Sequence, residues 1–367
     1  MASIDRYPSP KGVRWRARWR TPDGASRSKM FPRKLDAERF LVQLEQAKLR
    51  GAYVDPAAGR ILFKEYGEKW RFNQVHHRPG TKEKVESDLK KHLYPVLGGS
   101  PMNLISRSDV QAWVTTITAL LAPATVNVVY SYLATIFKSA VADGIVATSP
   151  CHGIVLPAIP TKRVAPLTRE QIEAIAESMP PRHRAWVLFA AMTGLRFGEL
   201  AGLTLDRVNF FRKSLTVDRQ WGGRGFGPPK TPTSVRNIPL GELAIRVLAD
   251  HLAGFPALEP EGLVFHAGGR PMSRTRANEI WKRALERAAM GRDATPHDLR
   301  HFYASALIRQ GADVKLVQNR LGHKSAKTTI DTYGHLWPDS DDRTRTAIDS
   351  IFHAPAMPGL DIDGATG

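Results

Sequence analysis

The sequence predicts a multidomain chain, mainly α-helical with small β-sheets, and three observations carry that prediction. Its 367 residues exceed what one ordinary hydrophobic core absorbs and suit two or three domains. Residues 13–20 alternate strictly between apolar and basic side chains, a two-residue period that a half-buried strand satisfies. After residue 60 the apolar residues recur mostly at helical spacing, broken by a proline-dense stretch between Pro150 and Pro166.

In the first expected domain, residues 1–58, Val13, Trp15, Ala17 and Trp19 form one face and Arg14, Arg16, Arg18 and Arg20 the other. Thr21-Pro-Asp-Gly24 supplies turn chemistry, and Ser26 to Phe31 can return as a second strand with Arg27 and Lys29. Leu35 to Arg50 has helical spacing at Leu35, Phe40, Leu41 and Leu44, so a small sheet backed by one helix is expected. Four arginines on one face repel one another unless an anion is present. They are candidate nucleic-acid contacts, since a two-stranded ribbon can enter a major groove, with a merely solvated face as the alternative. Residues 51–60, with Pro56 and Gly59, read as a linker.

A second domain, residues 61–155, is expected to hold four helices: Phe63 to Val75, Thr81 to Val96, Ser106 to Leu120 and Pro123 to Asp143. Ser106-Arg-Ser-Asp109 has the form of a helix start, a serine cap with an acid at the third helical position. Lys82 and Lys90, in a run with Lys84, Lys91 and His92, could track phosphates or simply face solvent. Pro150, Pro157, Pro160 and Pro166 forbid a continuous helix and mark the next boundary.

The third domain, residues 165–352, is α+β. It alternates helices at Thr168 to Ser178, Arg182 to Thr193, Leu240 to Ala253 and Arg274 to Met290 with strand segments at Ser214 to Gln220 and Arg236 to Pro239. Asp339 to Phe352 can form a last helix, and residues 353–367 read as a tail.

Lys and Arg number 53 against 35 Asp and Glu, a net charge of +18 that points to a polyanionic partner, most simply nucleic acid. Cys151 is the single cysteine, which excludes internal disulfides and a cysteine-based zinc cluster and suits a reducing compartment; it is read as structural. Met1 to Pro10 lacks an apolar signal core, and no stretch approaches the roughly 18 apolar residues of a membrane span, so the cytoplasm is the expected location. There is no Gly-Lys-Ser/Thr phosphate loop and no carboxylate cluster suited to magnesium, so neither cofactor nor metal is expected.

Four short stretches place cations at helix ends, where side chains and backbone N–H groups can converge on a phosphate. In Thr193-Gly-Leu-Arg196-Phe-Gly-Glu199, Gly194 can end one helix and Glu199 can orient Arg196 at the start of the next. In Thr295-Pro-His297-Asp-Leu-Arg300-His301, Thr295 reads as a cap and Pro296 as the first helical position, with His297 and Arg300 on one face. That pairs a group that transfers protons near neutral pH with a fixed fork for phosphate oxygens. Leu321-Gly-His323 should end a helix at Gly322, and Thr328 to Leu336 sets Tyr333 late in a short helix, ten residues after His323. Taken singly, the Arg196 stretch is equally consistent with a surface Arg–Glu pair, most His-x-x-Arg pairs are surface residues, and an ordinary half-buried tyrosine explains Tyr333 better than a functional one.

Together, in this order, they resemble the tyrosine recombinase (phage integrase) family: Thr-Gly-Leu-Arg196 with Gly-Glu-Leu, then His297-Asp-Leu-Arg300-His301, then Leu-Gly-His323 and Tyr333. The resemblance implies Tyr333 as nucleophile, Arg196, Arg300 and His323 around the phosphate, and Glu199 in support. It also implies a lysine on a hairpin between the first two boxes, for which Lys230 in Pro229-Lys-Thr231 is the candidate and Arg224 a rival. Lys230 would protonate the leaving 5′ oxygen, and His297 would accept or relay the tyrosine proton. The first two domains look like the family's arm-binding sheet domain and helical core-binding (SAM-like) domain. The implied partners are double-stranded DNA at core and arm sites, three further copies in a homotetramer on DNA, and a host DNA-bending protein and excisionase. The implied function is integration, and excision, of a phage or mobile element. Three other readings use the same surfaces. A chromosome-dimer resolvase of this family usually lacks the arm domain, and a DNA-binding regulator would not need Tyr333; a type IB topoisomerase would share the chemistry without a second site.

Overall fold

The computed structural model describes residues 2–9, 12–21, 24–49, 55, 57–160, 164–229, 231–291, 293–337, 344–346 and 348–350. The chain divides into two compact units, residues 1–161 and 162–367.

The first unit opens with three antiparallel strands in the order β1 (Ser3–Ser9), β2 (Gly12–Arg20) and β3 (Ser26–Phe31), followed by helix α1 (Lys34–Leu49). Strand β1 was not legible in the sequence. Its residues lack strong alternation and end near Pro8, which is tolerated because β1 is an edge strand. Helix α1 packs Ala37, Leu41 and Leu44 against Ala17 and Trp19, so the arginines of β2 fall on the opposite face. Arg27 and Lys29, in contrast, pair across the sheet with Trp19 and Ala17 and therefore lie on the helix side. There Lys29 sits over the Phe31 and Phe40 rings, and Arg27 pairs with Asp55 at 2.7 Å.

Five helices follow in the same unit: α2 (Phe63–Phe72), α3 (Pro79–Asp88), α4 (Tyr94–Leu97), α5 (Arg107–Thr118) and α6 (Pro123–Ala142). They enclose a second core built on Phe63, Trp113, Leu133 and Phe137. The single helix expected from Thr81 to Val96 is instead α3 and α4 joined by a π-helical turn at Leu89–Leu93. Pro95 accounts for this: it has no N–H for the Lys91 carbonyl, and its ring crowds that carbonyl. The Ser106 cap is as expected, Ser106 Oγ accepting from the Asp109 N–H and the Asp109 carboxylate accepting from the Ser106 N–H at 2.8 Å.

The second unit begins with α7 (Arg169–Ser178), α8 (Pro181–Thr193) and α9 (Phe197–Ala201). Strands β4 (Val208–Asn209) and β5 (Ser214–Val217) come next, then the hairpin of β6 (Gln220–Trp221) and β7 (Phe226–Gly227). Strand β8 (Arg236–Pro239) returns to make a sheet in the order β4-β5-β8. Helix α10 (Glu242–Gly254), the short hairpin β9 (His266–Ala267) and β10 (Arg270–Pro271), and α11 (Arg274–Arg287) complete a core around Trp186, Phe189 and Trp281. Helices α12 (Asp298–Arg309), α13 (Val314–Leu321) and α14 (Ala326–Tyr333) share a smaller cluster of Ala304, Ile308, Val317, Leu321 and Tyr333. Residues 344–346 and 348–350 are helical, and the tail at residues 353–367 lies outside the described residues. Among the described residues no helix is long and apolar enough to cross a membrane.

One boundary differs from expectation. Helix α12 starts at Asp298 rather than beside Thr295, after a turn in which the Asp298 N–H meets the Thr295 carbonyl at 2.9 Å and the Thr295 N–H and hydroxyl both donate to the Asp298 carboxylate, at 2.6 and 2.9 Å.

Candidate active site

Two glycines in the left-handed region set the site's frame. Gly194 (φ +62°) ends α8, and a Cβ there would stand 2.4 Å from the Tyr303 ring; Gly322 (φ +63°) ends α13 against Arg236 and Ser234. Arg196 then caps α9, where the Glu199 carboxylate reaches back to its N–H at 2.9 Å and its guanidinium at 2.8 Å.

The arginines converge on the end of α13. Arg300, 2% exposed, donates to the Gly194 carbonyl at 2.6 Å and the Leu321 carbonyl at 2.5 Å, while Arg196 donates to the Gly322 carbonyl at 2.6 Å. Two forks thus hold the two carbonyls that precede His323. A third guanidinium completes the group: Arg236 on β8 clasps Glu199 through two bonds, at 2.9 and 3.1 Å, and donates to the Arg320 carbonyl at 2.8 Å. Burial would raise the Glu199 carboxyl, but Arg236 and Arg196 outweigh it and hold it below the usual carboxylate range. Three guanidiniums face one carboxylate, which leaves a positive surplus suited to a phosphodiester.

His323 Nδ1 lies 2.9 Å from the Thr329 hydroxyl. Burial and the cations of Arg300 and Arg196 push its pKa down to about 3, so its ring is neutral. Tyr333, the last residue of α14, is 1% exposed, and its ring lies parallel to that of His323 with centroids 6.3 Å apart. Burial pushes its hydroxyl up to about 12, against the pull of Arg300.

His297, expected to meet the tyrosine hydroxyl, does not do so in this structure. His301 does, with Nδ1 2.8 Å from it, while His297 lies at the surface edge-on against His301. His297, the N-cap of α12, and His301, one turn further on, share a face of the helix, and it is His301 that stands beside the end of α14. Lys230 lies outside the described residues. The segment that follows it is tied to the site, Thr231 meeting the Ser234 hydroxyl at 2.9 Å and Ser234 standing 3.4 Å from both Arg196 Nη1 and the Gly322 carbonyl. Arg224 occupies the turn between β6 and β7.

Of the expected DNA contacts, Arg14, Arg18 and Arg20 are exposed and Arg16 is half-buried over the Tyr7 ring. Asp5 on β1 faces them, 2.9 Å from Arg18 and 3.8 Å from Arg16. Lys82 is exposed, and Lys90 is exposed but paired with Glu86 at 2.6 Å. Sequence reasoning missed Arg236 and His301 as site residues. Both stand inside short motifs, Ser234-x-Arg236 and Arg300-His301, but spacing alone does not say which neighbour turns inward.

Residues 166–339 match the phage integrase family, and residues 63–157 match the phage integrase central domain. Over 333 residues the chain is 30% identical to the putative prophage phiRv2 integrase of Mycobacterium tuberculosis, covering 86% of this chain and 88% of that one. The chain belongs to the phage integrase family. It is a tyrosine recombinase of the integrase type, an enzyme of DNA recombination. Its fold is that of solved integrases. The Tn1549 transposon integrase in complex with a circular intermediate DNA superposes with a TM-score of 0.66 at 21% identity, over 78% of this chain and 98% of that one. A lambda integrase tetramer bound to a Holliday junction gives 0.59 at 19% identity, over 88% and 96%.

Proposed function

We propose that this integrase cuts and rejoins DNA through a 3′-phosphotyrosyl intermediate on Tyr333, integrating and excising a phage or mobile element. The observation that supports it most is the gathering of Arg196, Arg300 and His323 beside the Tyr333 ring, with a surplus of positive charge. A phosphodiester repels anions, and a tyrosine hydroxyl is a poor nucleophile at neutral pH, so the site must supply cations. Arg196 and Arg300 take the non-bridging oxygens with His323, and each preset donor contributes on the order of 3 kcal/mol to lowering the barrier. Glu199 orients Arg196, Lys230 protonates the departing 5′ oxygen, and His297 belongs to the histidine pair that relays the tyrosine proton. Because Tyr333 is 1% exposed, docking of DNA has to uncover it. Each step exchanges one phosphoester for another, so the chemistry needs no ATP.

In this reading Arg14, Arg16, Arg18 and Arg20 hold an arm site, and Lys82 and Lys90 hold the core site. Four copies then assemble on DNA, as the lambda integrase tetramer does on a Holliday junction. Holding two sites per protomer raises the effective concentration of the second. A host bending protein and an excisionase would set direction, in the host cytoplasm at the nucleoid. Incubation with a nicked crossover-site duplex is the test: a covalent adduct forms with the natural chain, and Tyr333→Phe forms none. An adduct with the phenylalanine variant, or none with either, would sink the assignment and favour a DNA-binding regulator.

A further inference from the structure

We infer that Asp5 and Arg18 form a specificity-determining pair on the first sheet: Asp5 holds the Arg18 side chain by its Nε, and the outer fork of Arg18 reads a guanine edge in the major groove of the arm site. The inference rests on the reading of the β2 arginines as arm-site contacts, and it names which of them carries sequence information.

Strand pairing sets this arrangement. Asp5 on β1 lies directly opposite Arg16 on β2, and Arg18 is its diagonal neighbour on the same face, away from α1. Asp5 Oδ2 is 2.9 Å from Arg18 Nε but 3.8 Å from Arg16 Nη2. Held at Nε, Arg18 keeps both Nη groups for a ligand: neither has a partner among the described residues, and the side chain is 48% exposed. Its cross-strand neighbours are Ser3 on one side and Ser28 on the other, short side chains that leave room for a base edge to approach. Arg16 is drawn instead over the Tyr7 ring, 5.2 Å from its centroid, and is less exposed.

The charge on this face separates base reading from phosphate binding. A carboxylate here repels the DNA backbone and cancels one guanidinium, so it weakens phosphate binding. What it supplies is orientation. Two parallel N–H groups match the O6 and N7 acceptors of guanine, whereas adenine presents one acceptor and one donor at the same edge. An arginine whose charge is already answered by Asp5 loses attraction for a phosphate anion but keeps both donors for an uncharged base. Arg14 and Arg20 have no carboxylate within ion-pair distance among the described residues, and they lie nearer the two ends of β2. They supply phosphate contacts that position the sheet without reading sequence.

Selection from a randomised duplex library by the full chain tests this, with unlabelled crossover-site duplex in excess to occupy the crossover-site surfaces. The natural chain should enrich a motif in which one guanine is preferred about 5- to 100-fold over other bases. Arg18→Ala and Arg18→Lys should both lose the preference at that base pair alone, the lysine because a point charge lacks the fork. Asp5→Ala should relax the same base pair while binding unrelated duplex more tightly, since a repelling charge is gone. Arg14→Ala should weaken every sequence evenly and lower the salt slope by about 0.9, which Arg18→Ala should not. An exposed pair of this kind contributes little to folding, so the variants should melt with the natural chain. A guanine preference that survives Arg18→Ala or Asp5→Ala, its retention in Arg18→Lys, or an even loss across sequences with a lowered slope in Arg18→Ala would each overturn the inference. If the natural chain enriches no motif, the arm-site reading itself fails and takes this inference with it.

Discussion

Glu199 shows how much one buried side chain decides. Its carboxylate is the partner shared by Arg196 and Arg236, and its side chain is 1% exposed. Glu199→Gln should lower unfolding free energy by about 3–5 kcal/mol, since removing one partner leaves buried charge uncompensated; denaturant titration measures it. Arg236→Lys keeps the charge but loses the fork, so adduct formation should fall about tenfold or more with crossover-site affinity unchanged, read by single-turnover cleavage beside a binding titration. The histidines add a pH dependence. His323 and His301 both have pKa values held below the free value of 6.5, so on acidification the unfolded chain binds protons there that the folded chain does not. Their contribution is present above about pH 6.5 and drains as pH falls toward the folded values. The melting temperature should fall between about pH 7 and pH 5, and His323→Asn should flatten that slope.

At the scale of elements, the site is made of helix ends rather than helix faces. Helices α8, α12, α13 and α14 each contribute a terminus, and the arginine forks join them through backbone carbonyls. Gly322 is the joint that carries His323. Gly322→Ala should cost roughly 1–3 kcal/mol, from the left-handed conformation and from crowding against Ser234 and Arg236, and should slow cleavage by displacing His323. Thermal melting beside single-turnover cleavage checks both effects; an alanine variant as active and stable as the natural chain would show that the joint yields. Turn chemistry made Gly194 and Gly322 legible. The start of α12 was legible less closely: Thr295 and Asp298 pair as at a helix start, but the helix itself begins at Asp298.

For the whole molecule, the net charge of +18 makes DNA affinity fall steeply with salt. Neutralising Arg14, Arg18 and Arg20 together by alanine should weaken arm-site binding and reduce its salt slope by about 0.9 for each phosphate that is no longer neutralised. Cleavage of an isolated crossover site should be unchanged. Fluorescence titrations across a salt series measure the slope, and an unaltered slope would remove these arginines from the DNA interface. Asp5 sits within the same face, so that face is not uniformly cationic, a detail visible only once β1 pairs with β2.

What the sequence determined by itself is what rests on local chemistry: the alternating strand of residues 12–20, the Ser106 cap, the helix-ending glycines, and the four motifs whose order marked the family. These depend on residues adjacent in the chain, so spacing reveals them. The tertiary structure decided which neighbours meet across the chain. Strand β1 exists because β2 offers it a ladder, and Arg236 belongs to the site because β8 lies within reach of a carboxylate 37 residues earlier in the sequence. His301 rather than His297 reaches Tyr333 because packing sets the first turn of α12, not its N-cap, beside the end of α14. Such long-range pairings carry no periodic signal of their own.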